Sequence, residues 1–301
     1  MDLDLIEEAI GGSRRSLART LSLIENGEIN IEQIRQALNV DANPSGSKNW
    51  NSLAITGAPG VGKSCLIDKL LSIWASSGLK IALLAIDPSS PRTGGALLGD
   101  RVRITSVDDE EIKNKIYIRS IATRKSSGNV PLIVADMIEF LHIAKWDRVI
   151  IETVGSGQSE VRCAAIADRI VVIEGPARGD GVQAEKAGLL ELADAVIVNK
   201  SDLSGAEKHA EELQESFELG LGDTPPVLLT SAINETGITE AANVLLNLAD
   251  SGRSVRARWR ERLLAHYERK LLESPKLDDI LSSLAVGSIS IDEAIKSLGG
   301  S

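Results

Sequence analysis

A chain of 301 residues, 43% hydrophobic and 25% charged, holds one large α/β domain plus smaller helical additions and can build its core without disulfides or metals. The formal net charge of -10 argues against general nucleic-acid or anionic-membrane binding, which depend on a positive field, so an anionic ligand must be held by local chemistry. Two distant cysteines, Cys65 and Cys163, without a close histidine, exclude a disulfide framework or paired-thiol metal site and fit a reducing cytoplasm.

The opening MDLDLIEEAIGG is acidic and amphipathic, unlike a secretory signal, and no stretch reaches the ~20 apolar residues needed to cross a bilayer. Apolar positions at helical spacing follow, among them Leu17, Leu21, Leu23 and Ile24, then IEQIRQAL, and predict two or three short helices over residues 3–38. DANPSGSKNW breaks that pattern. From about residue 51, seven strand-like runs (LAIT, KIALLAI, KIYIRSI, RVIIET, RIVVIE, AVIVNK, PVLLTS) alternate with amphipathic helical segments. This alternation predicts a doubly wound, mostly parallel α/β sheet with helices on both faces. The strands stop after Leu248, and residues 253–298 read as further helices. The expected division is a helical segment over 1–50, one α/β domain over 51–250 and a helical tail over 251–301.

The first strand runs into Gly57-Ala58-Pro59-Gly60-Val61-Gly62-Lys63-Ser64 and then, from Cys65, into a helix: strand, G-x-x-x-x-G-K-S, helix. Backbone N–H groups from Gly57 through Cys65 converge on phosphate oxygens, and the following helix adds its positive end. The Lys63 ammonium reaches the β- and γ-phosphates, while Ser64 offers a hydroxyl to Mg²⁺. Mg²⁺ also wants carboxylates, and open parallel sheets bind ligands at the ends of their strands. Asp87, ending the second strand, and Glu152, ending the fourth, are placed for this; Asp100, in GGALLGD, is a loop candidate. Gly155 would let a backbone N–H approach the γ-phosphate.

Asn199, Lys200 and Asp202 follow the sixth strand as N-K-x-D. The Asp202 carboxylate can accept from both N1–H and the exocyclic amine of guanine, whereas adenine would leave it unpaired. Such a mismatch gives discrimination of ~10⁴-fold or more. Lys200 would lay its stem over the ring and Asn199 would brace the loop. Thr230, Ser231 and Ala232, after the seventh strand, are placed to meet the guanine carbonyl through a backbone N–H. The residues thus read as a GTP/GDP site with Mg²⁺.

GAPGVGKS, DPSSPRTGGALLGDRVR, ETVGSGQSE, GDGVQAEKAGLLELAD and NKSD together resemble the MeaB/ArgK family of GTPases, over nearly the whole chain. That resemblance implies GTP hydrolysis and a chaperone role toward an adenosylcobalamin-dependent acyl-CoA mutase of the methylmalonyl-CoA type. It also implies a homodimer through the C-terminal helices. It assigns Asp87, Asp100 and Glu152 to nucleotide-responsive metal-binding switches, and Lys186 to a further switch over 178–190 that takes part in mutase-stimulated hydrolysis. The expected catalytic set is then Lys63, Glu152 and Lys186. The chain departs from the family pattern at Ser156, Gly181, Glu185 and Ala187, and lacks a glycine pair between residues 120 and 131. The core of the site is kept while the partner-sensing surface has drifted.

Two other readings compete. A nickel-delivery maturation GTPase would need a cysteine and histidine cluster, and His142, His209 and His266 are scattered. A purely regulatory GTP switch differs only in its hydrolysis. The arginine run from 253 to 262 reads as a solvated or subunit-facing helix flank, with Trp259 in packing.

Overall fold

The computed structural model describes residues 2–40, 50–88, 104–123, 130–153, 166–176, 190–219, 224–249, 252, 255–272 and 274–299. Asp100, Gly155 and Lys186 lie outside the described residues, and Asp87 is described in its backbone alone.

Three N-terminal helices form: α1 (Leu3–Ile10), α2 (Arg14–Glu25) and α3 (Ile31–Leu38). Each starts on a side chain that accepts a first-turn N–H, from Asp2, Ser13 and Asn30 in turn. Their apolar stripes, including Ile6, Leu17, Leu21, Ile24 and Ile34, enter the main core beside the helix Val130–Ile143. Arg14 of α2 donates to Lys113 O (2.6 Å), and Arg119 donates to Ala18 O (3.2 Å) and Ser22 Oγ (3.0 Å) and pairs with Glu25.

Seven strands appear where the apolar runs lie: β1 (Ser52–Gly57), β2 (Ile81–Pro88), β3 (Ile116–Thr123), β4 (Arg148–Thr153), β5 (Arg169–Glu174), β6 (Ala195–Asn199) and β7 (Val227–Thr230). They make one sheet in the order β3-β2-β4-β1-β5-β6-β7, with every pairing parallel. Central strands β1, β4, β5 and β6 are buried at every residue, which is why they read as continuous apolar runs. Alternate residues serve opposite faces. Ala54, Leu84, Ile151 and Val198 meet α1–α3, α5 (Val130–Ile143) and α6 (Ala206–Glu218). Leu53, Ile55, Leu83 and Ile150 meet α4 (Lys63–Ser76) and α7 (Ile238–Leu246). The Trp50 and Trp74 indoles sit edge-to-face at 6.3 Å, and their N–H groups donate to Leu245 O (2.7 Å) and Ala242 O (3.0 Å), fixing α4 against α7.

After β1 the chain moves out to β2 and β3, returns as β4 beside β1, and then crosses to β5, β6 and β7 on the other side. The crevice for a ligand therefore falls at the C-terminal ends of β1, β4 and their neighbours.

The tail forms α8 (Val255–Leu272), α9 (Leu277–Ala285) and α10 (Ile291–Gly299). Trp259, expected in packing, is instead 64% exposed, and Leu263 (58%) and Tyr267 (66%) continue the same face at four-residue spacing. Arg256 and Arg260 are exposed, as a solvated flank requires, while Arg262 donates to Ile166 O (2.9 Å). Among the described residues no helix is long and apolar enough to cross a membrane.

Candidate nucleotide-binding site

The loop between β1 and α4 needs glycine at two points for steric reasons. Gly57 has φ +147°, and a Cβ there would lie 2.1 Å from the Ile173 carbonyl oxygen of β5. Gly62, at φ +94°, is the N-cap of α4, and its Cβ would lie 2.4 Å from Asn199 Nδ2. No side chain caps α4, so its first-turn N–H groups face the loop rather than a hydroxyl or carboxylate. An uncapped helix end beneath a loop of this shape can hold a chain of phosphates through backbone donors.

Lys63 is the first residue of α4 and is only 8% exposed, yet it lies just beyond the C-terminal end of the central strand β1. Its ammonium donates to Gly57 O (2.8 Å) and Ala58 O (3.0 Å), so the charge is held against the loop. One residue on, Ser64 Oγ donates to Glu152 Oε1 (2.8 Å). Glu152 lies one residue before the end of β4, beside Ile55 of β1 and Ala85 of β2, and is 4% exposed. The structure thus brings together two residues, 88 apart in sequence, that were each expected in a metal shell. Asp87 lies near the end of β2, paired in register with Ala122.

The base loop is tied to the phosphate loop. Asn199, at the end of β6 and 1% exposed, donates from Nδ2 to Val61 O (2.9 Å), and Lys200 Nζ donates to Gly60 O (2.7 Å). Lys200 adopts a left-handed backbone at φ +63°, which turns the chain sharply after the strand. Asn199 Oδ1 accepts from Thr230 Oγ1 (3.1 Å) and from Ala232 N (3.2 Å). Thr230–Ala232 was expected to offer a backbone N–H to the guanine carbonyl; in the structure the Ala232 N–H is engaged by Asn199, so this turn also braces N-K-x-D. Ser231 Oγ donates to Asp202 Oδ1 and orients that carboxylate.

Three further contacts were not legible from motif spacing. The Thr230 hydroxyl fixes the Asn199 amide, although only the backbone of that turn carried an expectation. Asp68 of α4, 9% exposed, accepts from Thr105 Oγ1 (2.8 Å) and Ser106 N (2.8 Å), joining the phosphate-loop helix to residues 104–106. Lys69 pairs with Glu235 of the turn after β7, and the Glu235 hydrogen bond holds its ammonium above the usual lysine range. Cys65, also expected beside the phosphates, is a free and exposed thiol.

Fold and site together define a P-loop nucleotide-binding protein with a guanine-type base loop. The family model described as methylmalonyl Co-A mutase-associated GTPase MeaB matches residues 17–275, and the chain belongs to that family of P-loop GTPases. A protein of Pyrococcus abyssi named as a GTPase is 41% identical over 243 residues, covering 79% of this chain and 72% of the relative. A protein of Cupriavidus metallidurans named fused isobutyryl-CoA mutase is 32% identical over 245 residues, covering 78% of this chain and 22% of that protein. Among solved structures, one titled as a LAO/AO transport system kinase shares the fold with a TM-score of 0.65, at 22% identity and coverage of 99% of this chain and 96% of that one.

Proposed function

We propose that this GTPase hydrolyses GTP to GDP and phosphate with Mg²⁺ and couples the cycle to an adenosylcobalamin-dependent acyl-CoA mutase of the methylmalonyl-CoA type. In this reading it acts in the cytoplasm as a chaperone that gates cofactor loading and protection. The observation that carries the partner is the Cupriavidus metallidurans relative: a segment similar to this chain is part of a protein named fused isobutyryl-CoA mutase.

The residues support the chemistry as follows. Triphosphate binding draws the Lys63 ammonium from the Gly57 and Ala58 carbonyls to the β- and γ-phosphate oxygens, while N–H groups of 60–65 hold the remaining oxygens. Asp202 selects guanine, and Asn199 and Lys200 hold the base loop at a fixed distance from the phosphates. Ser64 Oγ and Glu152 Oε1 are hard oxygens side by side at the helix start, a donor set that suits Mg²⁺, which takes few protein ligands and keeps several waters. When bound, the ion neutralises charge on the β- and γ-phosphates. Asp87 and Asp100 are assigned to the same shell, and Gly155 to the γ-phosphate, on their motifs.

Lys186 is assigned to partner-stimulated hydrolysis on the family resemblance. Single-turnover hydrolysis of the parent and of Lys186→Ala, each with and without a mutase, tests both assignments. The expected result is a faster rate with mutase for the parent, and nearly normal basal turnover with lost stimulation for the variant. No stimulation of the parent by any mutase of this class overturns the partner. Full stimulation of the variant removes Lys186 from that role.

A homodimer through the C-terminal helices belongs to the same proposal. Trp259, Leu263 and Tyr267 on α8 and Ile291 (69%) and Ile295 (61%) on α10 expose apolar surface that a monomer leaves in water. Light scattering should give a dimer mass for the full chain and a monomer mass both for a chain ending at Leu248 and for Trp259→Glu/Tyr267→Glu. A dimer mass for the double variant takes that face out of the interface.

A further inference from the structure

The two edges of the sheet are treated differently. At the β3 edge, α2 is fastened by Arg14 and Arg119, and Arg14 reaches the carbonyl of Ile116 itself. At the other edge lies β7, whose Pro226 and Thr230 carbonyls accept from Val196 N (2.9 Å) and Ser201 N (2.9 Å). Parallel pairing alternates, so residues 226, 228 and 230 face β6, and the N–H groups of Val227 and Leu229 point away from the sheet. The far end of β7 is closed by Gly237, whose Cβ would sit 2.1 Å from Leu229 O. Among the described residues, the open stretch is therefore the Val227 amide group and the Leu229 N–H. Natural sheets guard such edges with lysine, proline or a covering element. β7 reads VLLT, with proline only ahead of it, and Leu229 is 37% exposed.

Beside this edge runs a groove of about 480 Å³ between β7 and α6. Val227 and Leu229 form part of its apolar floor, and Glu207, Glu211, Glu215 and Glu218 form its α6 wall. These four positions share one face of α6, whereas Lys208 pairs with Glu212 elsewhere on the helix. The groove thus offers outward backbone donors, an apolar floor and a carboxylate wall along the same line. An extended segment can use all three at once: main-chain bonds to the edge, and lysine or arginine side chains at alternate positions whose apolar stems cross the floor and whose cations reach the wall, while the intervening apolar residues lie on the opposite sheet face beside Leu228.

We propose that the α6–β7 groove docks an extended segment of a partner protein with alternating apolar and lysine or arginine residues, added to the sheet as an eighth strand. Charge complementarity selects this occupant, since an acidic or neutral strand would face four carboxylates without compensation. The α6 wall shares no residue with the phosphate loop or the N-K-x-D turn, so occupancy and nucleotide binding can be measured separately with substitutions on α6.

The probe is a labelled acetylated, amidated KVKVKV peptide, titrated against the full chain by fluorescence anisotropy with amide exchange read at Val227 and Leu229. The expected result is saturable binding that weakens with salt, slowed exchange at both amides and no binding of EVEVEV. Glu211→Gln/Glu215→Gln should weaken binding about tenfold, as two partly exposed ion pairs warrant, with GDP affinity unchanged. Methylating alternate peptide nitrogens separates strand addition from charge alone, because it removes main-chain bonds and keeps the cations. Absence of KVKVKV binding, equal binding of EVEVEV, or binding that leaves Val227 and Leu229 exchange unaltered overturns the proposal. A helical peptide of residues 255–272 that displaces KVKVKV and leaves those two amides unprotected would make the occupant a second copy of this chain, and also overturns it.

Discussion

Lys63→Ala is expected to lower GTP affinity by roughly 10²–10⁴ and GDP affinity by about 10–10², because the ammonium serves one more phosphate group in the triphosphate. Each charge-assisted hydrogen bond is worth about 1.5–3 kcal/mol, and every 1.4 kcal/mol is about tenfold in affinity. The structure shows why alanine should be tolerated by the fold. Lys63 donates to two carbonyls of its own loop, Gly57 O and Ala58 O, so the change acts first on the loop. Titrating fluorescent GTP and GDP analogues into the variant, with circular dichroism to verify folding, checks the claim through the ratio of the two losses. Equal losses for GDP and GTP would mean that Lys63 does not reach the γ-phosphate.

The strands of this protein were legible because a parallel sheet covered on both faces demands uninterrupted apolar runs, and these announce themselves as stretches rich in isoleucine, valine, leucine and alanine. Strand order was not legible. That β4 rather than β2 lies beside β1 follows from crossovers whose direction no local pattern records. What covers Trp259 was not legible for a related reason. Helical spacing shows that Trp259, Leu263 and Tyr267 share a face, but not whether anything within the same chain covers it.

The site divides in the same way. The phosphate loop is contiguous, so spacing alone places Gly57, Gly62, Lys63 and Ser64 on a strand-to-helix turn. The link from Asn199 to Val61 spans 138 residues and exists only because the sheet puts β6 two strands from β1. It also adds a requirement to Gly62, whose side must stay bare for the Asn199 amide as well as for its own left-handed φ. The sequence presents two separate loops; in the folded chain hydrogen bonds tie them into one unit, in which phosphate and base positions are set together.

Asp202→Asn is expected to exchange guanine for xanthine preference, with a change in the GTP-to-XTP affinity ratio of ~10⁴ or more, since a site built to pair a polar base edge leaves its groups unpaired when that edge changes. Ser231 makes the expectation specific. Its hydroxyl donates to Asp202 Oδ1, and asparagine can keep that bond with its own oxygen, which turns the amide Nδ2 into the place of Oδ2. A donor then meets the 2-amino group of guanine and is repelled, whereas the 2-oxo group of xanthine accepts it. Phosphate contacts are untouched, because Asn199 and Lys200, not Asp202, hold the phosphate loop. The variant should therefore bind XDP with the affinity that the parent has for GDP. Competition between labelled GDP and unlabelled XDP, in the parent and in the variant, measures the exchange directly. Unaltered preference would show that Asp202 is held by Ser231 for the structure of the turn alone, and that another group reads the base.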